Sequence, residues 1–319
     1  MIRLAVLLAL PLALAAQQPQ SALTTEQLIN LRRFEEAKAA IDAMLGRNKE
    51  DAHAMFLMGR LLYADGNSGQ AVDWFEKAVK RDEPNATYHT WLGNALGDEA
   101  QKASKIRQPF LARRVKSEFE RAVQLDSTLV DPREGLVGFY SMAPGFMGGS
   151  MEKAREQANA ITKLNPIRGH LQLARVAERT KDSVTAEREY KAVVTTYPDS
   201  TVGYYSLGNF YRTQRRWTEA FATFELLMKA KPDELAVHLT WAGTAAQSGT
   251  NLERGEREAK YYLENAKDSP AANVSNAHWR LGQIYEQTGR KELARTEYTE
   301  ALKLNPRNQN AKKSLDALK

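Results

Sequence analysis

Few of the 319 residues in this chain are of types that carry chemistry. Cysteine is absent, which removes thiolate nucleophiles, disulfides and cysteine-bound metal together. Five histidines, His53, His89, His170, His238 and His278, are the remaining candidates for a metal site. There is no H-E-x-x-H run, no P-loop lysine motif, no G-x-S-x-G elbow and no dinucleotide fingerprint. Carboxylates such as Glu35, Glu36, Glu118 and Glu120 fall on charged helical faces and read as solvated surface. These residues argue against an enzyme and call for no cofactor.

The one concentration of charge is basic. Between Ala100 and Arg121 seven basic residues (Lys102, Lys105, Arg107, Arg113, Arg114, Lys116, Arg121) stand against two acidic ones, Glu118 and Glu120. That local excess nearly equals the formal net charge of +6 for the whole chain. Its chemistry would be electrostatic, drawing an acidic protein segment, anionic lipid headgroups or a phosphorylated glycan. Nucleic acid fits poorly, because Phe110 and Phe119 are the aromatics interleaved with the run.

The elements that must position these residues are helical. From Val202 to about Thr213 apolar residues recur at three and four, and from Thr218 to about Lys229 they do so again, so two amphipathic helices face each other. Gly208 and Ala220 are small where the helices cross, and Pro232 stops the second one. Tyr204, Leu207, Gly208, Tyr211, Ala220, Phe224, Leu227 and Pro232 fall on the W-x2-L-G-x2-Y, A-x3-F, P spacing. The stretch therefore resembles the tetratricopeptide repeat family. The resemblance implies an all-α fold, a right-handed superhelical solenoid of about eight helix pairs with a C-terminal capping helix.

Carried along the chain, this register places units at 18–51, 52–85, 86–130, 131–166, 167–200, 201–234, 235–274 and 275–308, with a cap at 309–319. Two units depart from it. Gly93 and Val115 are 22 residues apart where Gly208 and Ala220 are 12 apart, so a basic helical hairpin should protrude from the third unit. Gly138 and Ala154 are 16 apart, and the extra residues lie in a loop holding Pro144, Gly145, Phe146, Met147, Gly148 and Gly149. Phe146 and Met147 are expected to cover Ile106 and Phe110 of the lengthened hairpin, or else loop and hairpin form a second binding surface. The run from Tyr88 to Asp126 and the run from Gly135 to Ser150 also resemble exported bacterial tetratricopeptide proteins of unassigned biochemistry.

In the family pattern, positions 2, 5, 9, 12 and 13 of each first helix point into a concave groove. The resemblance thus implies peptide binding by His53, Phe56, Arg60, Tyr63, Asn94, Arg168, Arg175, Arg179, Tyr205, Asn209, Arg212, Asn276, Trp279 and Gln283. A clamp for a C-terminal carboxylate is incomplete, since Tyr205 precedes Asn209 where lysine is needed. His89, His170, His238 and His278 share position 4, where the pattern favours a large aromatic. Rings on successive helix pairs, with axes about 8–10 Å apart, cannot close one tetrahedral site, so they read as packing and no metal is expected.

At the N-terminus, Arg3, the apolar run Leu4 to Leu14 and the small-x-small Ala13-Leu14-Ala15 read as a signal peptide over 1–16. Eleven apolar residues are too few to span a bilayer, which takes about 20. The expectation is an exported adaptor, periplasmic or secreted from a bacterium, with no transmembrane segment after cleavage. Its partner would be a protein or peptide, acidic where the hairpin takes part. The rival is a solute- or lipid-binding component serving a transporter or the cell envelope, which would need an enclosed apolar pocket.

Overall fold

A computed structural model describes residues 23–318, and the segment 1–16, read from the sequence as a signal peptide, lies outside the described residues. Among them the regular elements are α-helices and one 3-10 turn. The chain divides at Leu125 and Asp126 into two compact units. The N-terminal unit holds three antiparallel pairs: α1 (Thr25–Asn30) with α2 (Phe34–Arg47), α3 (Ala52–Ala64) with α4 (Ser68–Arg81), and α5 (Ala86–Lys102) with α6 (Gln108–Leu125). The C-terminal unit opens with α7 (Asp131–Met142) and α8 (Met151–Leu164), then α9 (Pro166–Arg179) and α10 (Ser183–Thr196). It continues with α11 (Thr201–Thr213) and α12 (Trp217–Ala230), α13 (Ala236–Ser248) and α14 (Leu252–Asn265), and α15 (Ala271–Gln287) and α16 (Lys291–Leu304), closed by α17 (Gln309–Ala317). Each helix packs on its pair-mate and on the next helix within its unit, so every pair needs a neighbour to bury its second face. No helix among the described residues is long and apolar enough to cross a membrane.

Short polar side chains start many of these helices. Asp51, Asn85, Ser150, Asn165, Asp182 and Asn308 each accept a hydrogen bond from the backbone N–H three residues on. Thr24 and Gln27 form a reciprocal capping box at α1. Five first helices end alike, with a left-handed residue in the turn: Arg32, Gly66, Lys181, Arg215 and Gly289. In each, the next N–H bonds back five residues, as from Arg216 N to Tyr211 O at 2.8 Å and from Arg290 N to Tyr285 O at 2.8 Å. The turn is demanded strongly enough that Arg32, Lys181 and Arg215 adopt it despite a Cβ strain of roughly 1–2 kcal/mol each.

Within four of the pairs, an aromatic ring from the second helix lies directly on a glycine of the first. A methyl group at Gly59 would sit 2.6 Å from Phe75, at Gly93 2.7 Å from Phe119, and at Gly282 2.5 Å from Tyr298. Gly208 meets Phe224 in the same way. These rings are buried, with Phe75, Phe224 and Tyr298 at 0% exposure, so their full apolar area is removed from water.

The third pair is longer than its neighbours. Helix α5 has 17 residues and α6 has 18, against 13 and 14 for α3 and α4, so the inserted residues are shared between both helices and the turn. In the fourth pair, Gly145–Met147 form a 3-10 turn, closed by Gly148 N bonding to Gly145 O and Gly149 N to Pro144 O. This self-contained turn aims Phe146 outward. Phe146 is 86% exposed, and in the N-terminal unit Ile106 and Phe110 are 81% and 66% exposed.

Replacing Gly208 by valine should drive the side chain into Phe224 and destabilise the C-terminal unit by about 1–3 kcal/mol. Thermal denaturation by circular dichroism measures this; an unchanged midpoint would show that the pair can separate without loss.

Candidate functional site

The first helices carry the candidate residues, and the structure sorts them. In the N-terminal unit, Phe56 is 4% exposed, stacked on Tyr88 at 4.7 Å and tilted against Phe75 at 5.8 Å. It is core, not groove, because an aromatic ring at this position turns into the junction between successive pairs. His53 is exposed beside it. Arg60 lies over the Trp91 ring at 4.7 Å, donates to Asn30 Oδ1 at 3.1 Å and is 3.7 Å from Glu26. Tyr63 sets its edge on the same Trp91, and its hydroxyl is pushed up to about 12 by burial and by the bond to Asp98. Asn94 is half-buried. Trp91, at position 6, organises this cluster and was outside the five positions counted from sequence.

In the C-terminal unit, Arg168 is not available to a ligand. Its guanidinium forks onto Glu134 at 2.9 and 2.5 Å and reaches Asp131 at 2.6 Å, stapling α9 to α7. These carboxylates raise its pKa further above the ordinary arginine value, Glu134 most. Tyr205 likewise donates its hydroxyl to Glu234 at 3.0 Å. Arg175 and Arg179 are exposed and line a cleft of about 510 Å³ between α7 and α9, with Glu134, Val137, Gly138, Ser141, Gln172 and Glu178. Glu134 is committed to Arg168 and Glu178 accepts from the Tyr190 hydroxyl at 2.7 Å, so the cleft keeps two guanidiniums without ion pairs among the described residues. Gly138 opens the wall, since a methyl group there would meet nothing within 4 Å.

Further along, Arg212 donates to Asn209 Oδ1 at 2.8 Å and to Gln247 Oε1 at 2.9 Å. Trp279 donates its indole N–H to Ser314 at 3.1 Å, and the Arg280 guanidinium lies 3.9 Å over its ring while donating to Gln283 Oε1 at 3.0 Å. Asn276 is half-buried on the same helix. Arg280 escaped the sequence reading because position 6 is not a groove position of the family pattern; Gln247 stands at position 13, which is one, but no groove residue of the seventh unit was named.

The basic hairpin is less free than its sequence count implies. Arg114 pairs with Glu76 at 2.5 Å, Arg121 with Glu83 at 2.8 Å, Lys116 with Glu120 at 3.5 Å, and Lys102 donates to Ser68 at 2.5 Å. Glu76 and Glu83 sit on or just past α4, about 38 residues away in sequence, so a window along the chain could not see them. Lys105, Arg107 and Arg113 stay exposed near the tip.

The histidines form a recurring device. His89, His170, His238 and His278 place Nδ1 at 2.6, 2.7, 2.6 and 2.7 Å from Glu118, Glu189, Glu258 and Glu297, each on the second helix of the same pair. Glu118 is therefore not solvated surface. The signal was present as a glutamate 19 or 20 residues after His170, His238 and His278, and 29 after His89, where the insertion intervenes. No group of three or more metal-ligating residues occurs among the described residues. His89 Nε2 also faces the Glu83 carbonyl oxygen at 2.9 Å, so both ring nitrogens meet acceptors and both must carry protons. Burial disfavours that cation, but Glu118 and the Glu83 carbonyl outweigh it, and the pKa is raised.

Stacked antiparallel helix pairs with this glycine–aromatic register define a helical-repeat protein. Tetratricopeptide repeat profiles match residues 27–86 and 275–308, so the chain carries tetratricopeptide repeats. A tetratricopeptide repeat protein from Parabacteroides merdae is similar in structure, with a TM-score of 0.52 and 13% identity over 84% of this chain and 98% of that one. Yeast Tom70 gives 0.66 with 16% identity over 90% of this chain, which spans 59% of Tom70. IFIT1, as a monomeric mutant with m7Gppp-AAAA, gives 0.52 with 17% identity over 92% and 70%. At these identities the likeness is one of fold. No curated protein matches the chain.

A raised pKa in the folded state means that the His89 bond contributes stability fully below the unfolded value of about 6.5 and loses it as pH rises through the folded value. The melting temperature of His89→Gln should therefore fall furthest below wild type near pH 6 and approach it at alkaline pH. A constant difference across that range would remove the charged-histidine account.

Proposed function

We propose that the protein is an exported, non-catalytic scaffold that holds an extended segment of a partner protein along the first helices of its C-terminal unit. The observation that carries this reading is the cleft between α7 and α9. It combines apolar wall from Val137 and Val176, an opening at Gly138, and Arg175 and Arg179 with no carboxylate of their own. A peptide backbone and its side chains offer matching amides, apolar groups and acids. The crystal structure of yeast Tom70, a protein of the same fold, supports the architecture rather than the partner. Export rests on the Leu4 to Leu14 segment.

The charged lining of the cleft favours a peptide over an apolar solute or lipid. The hairpin tip, with Ile106 and Phe110 exposed beside Lys105, Arg107 and Arg113, and the Phe146 turn are offered as secondary contact surfaces.

Peptides selected from a displayed random library on the full chain should lose at least tenfold in affinity to the double variant Arg175→Glu, Arg179→Glu, measured by fluorescence anisotropy. Both side chains are exposed, so the melting temperature should move by no more than a degree or two. Selected peptides that bind the variant as tightly as wild type would overturn the assignment of this groove.

A further inference from the structure

Ion pairing is the rule for arginines of the C-terminal unit that lie between helices. Arg168 is held by Asp131 and Glu134, Arg216 by Glu187 and Glu219, Arg254 by Glu225 and Glu258, and Arg290 by Glu256. Arg133 on α7, Arg212 on α11 and Arg280 on α15 break it, Arg133 spending its donors on the Ser127 carbonyl and on Gln157. Of the other two, neither makes an ion pair among the described residues, although both are only partly exposed. Their partners are neutral amides: Asn209 and Gln247 for Arg212, Gln283 for Arg280. Arg212 Nε is buried with no acceptor at all. Arg280 bonds through Nη1, which leaves its Nε and Nη2 edge without a protein acceptor.

The two charges feel one another. Burial lowers the pKa of Arg212, and burial together with the Arg212 charge brings Arg280 down to about 10. Two desolvated like charges are an uncompensated cost in the folded protein. The surroundings hold them on one face of α13: the Arg280 guanidinium lies 3.9 Å over the Trp279 ring and packs against α13 at Gly243, one turn before the Gln247 that Arg212 bonds.

Resting on the groove reading above, we infer that Arg212 and Arg280 form an oxyanion site for an internal aspartate or glutamate side chain of the bound peptide. Each Nη carries two N–H bonds, so beyond the bonds to Asn209, Gln247 and Gln283 both guanidiniums keep donors, on the Nη groups of Arg212 and on the Nε and Nη2 edge of Arg280. A carboxylate can lie bidentate on the Arg280 edge, one oxygen on each nitrogen, and keeps lone pairs for Arg212. The peptide's own C-terminus is not favoured, because Tyr205 is already committed to Glu234 and the groove supplies no lysine beside Asn209.

The test uses the full chain and fluorescein-labelled octapeptides blocked at both ends, in which Glu alternates with Ala; Gln and phosphoserine replace Glu in two controls. The Glu peptide should bind at least tenfold tighter than the Gln peptide, and Arg212→Gln and Arg280→Gln should each abolish most of that preference. Arg47→Gln with Lys49→Gln, which removes two exposed charges at the end of α2, should leave it intact. Both groove variants should melt at or above the wild-type temperature, since an uncompensated cation is removed; a drop of several degrees would mark the arginines as structural and overturn the site. Equal binding of Glu and Gln peptides, or binding of the phosphoserine peptide alone, would overturn it as well. If library-selected peptides still depend on Arg175 and Arg179 while ignoring Arg212 and Arg280, the groove stands and the oxyanion site falls.

Discussion

The fold depends on a close approach: a second-helix aromatic ring lying flat where the first helix has a glycine and no side chain. Gly59 with Phe75, Gly93 with Phe119, Gly208 with Phe224 and Gly282 with Tyr298 repeat it in both units. Once ring and backbone touch, the axis separation and the phase of both helices are set. The phase then determines which residues face the next pair and which face the groove. A larger residue at the glycine would have to push the pair apart, and close-packed interiors do not yield by that much without losing contacts.

On this frame, polar side chains divide into two populations. Most are spent holding helices together. The histidine–glutamate bonds latch first helix to second within a pair, and Arg168 with Asp131 and Glu134 staples one pair to the next. The rest lack a partner of opposite charge, and among the arginines of the first helices these are Arg133, which bonds to the Ser127 carbonyl and Gln157, and Arg175, Arg179, Arg212 and Arg280. All five belong to the C-terminal unit. An unpaired guanidinium on a rigid helix is ready for an external acid without prior breakage of an internal pair, which is why this face rather than the hairpin carries the functional reading.

The hairpin shows the limit of counting charge along the chain. Seven basic residues within a short window suggested a strongly positive protrusion, yet Arg114 and Arg121 are neutralised by Glu76 and Glu83 from the preceding pair. Coulomb energy depends on distance in space, and a helix stack brings together residues some three dozen positions apart. Phe56 fails as a groove residue for a related reason. Position 5 lies at the border of the buried stripe, and a large ring there turns inward to meet Tyr88 and Trp91 rather than out to solvent.

The sequence by itself determined the helical pairs, their register and the places where it lapses, because these follow from apolar periodicity and from small residues at fixed spacing. The longer α5 and α6, the loop at Gly145 and the helix start at Ser150 were all readable that way. It also named Arg175, Arg179 and Arg212 as groove candidates. Which of the groove residues already hold a carboxylate was decided by the tertiary structure alone: Arg168 and Tyr205 do, whereas Arg212 and Arg280 bond only to neutral amides. Local pattern records which face a residue occupies, whereas a salt bridge forms between residues whose proximity is created by packing.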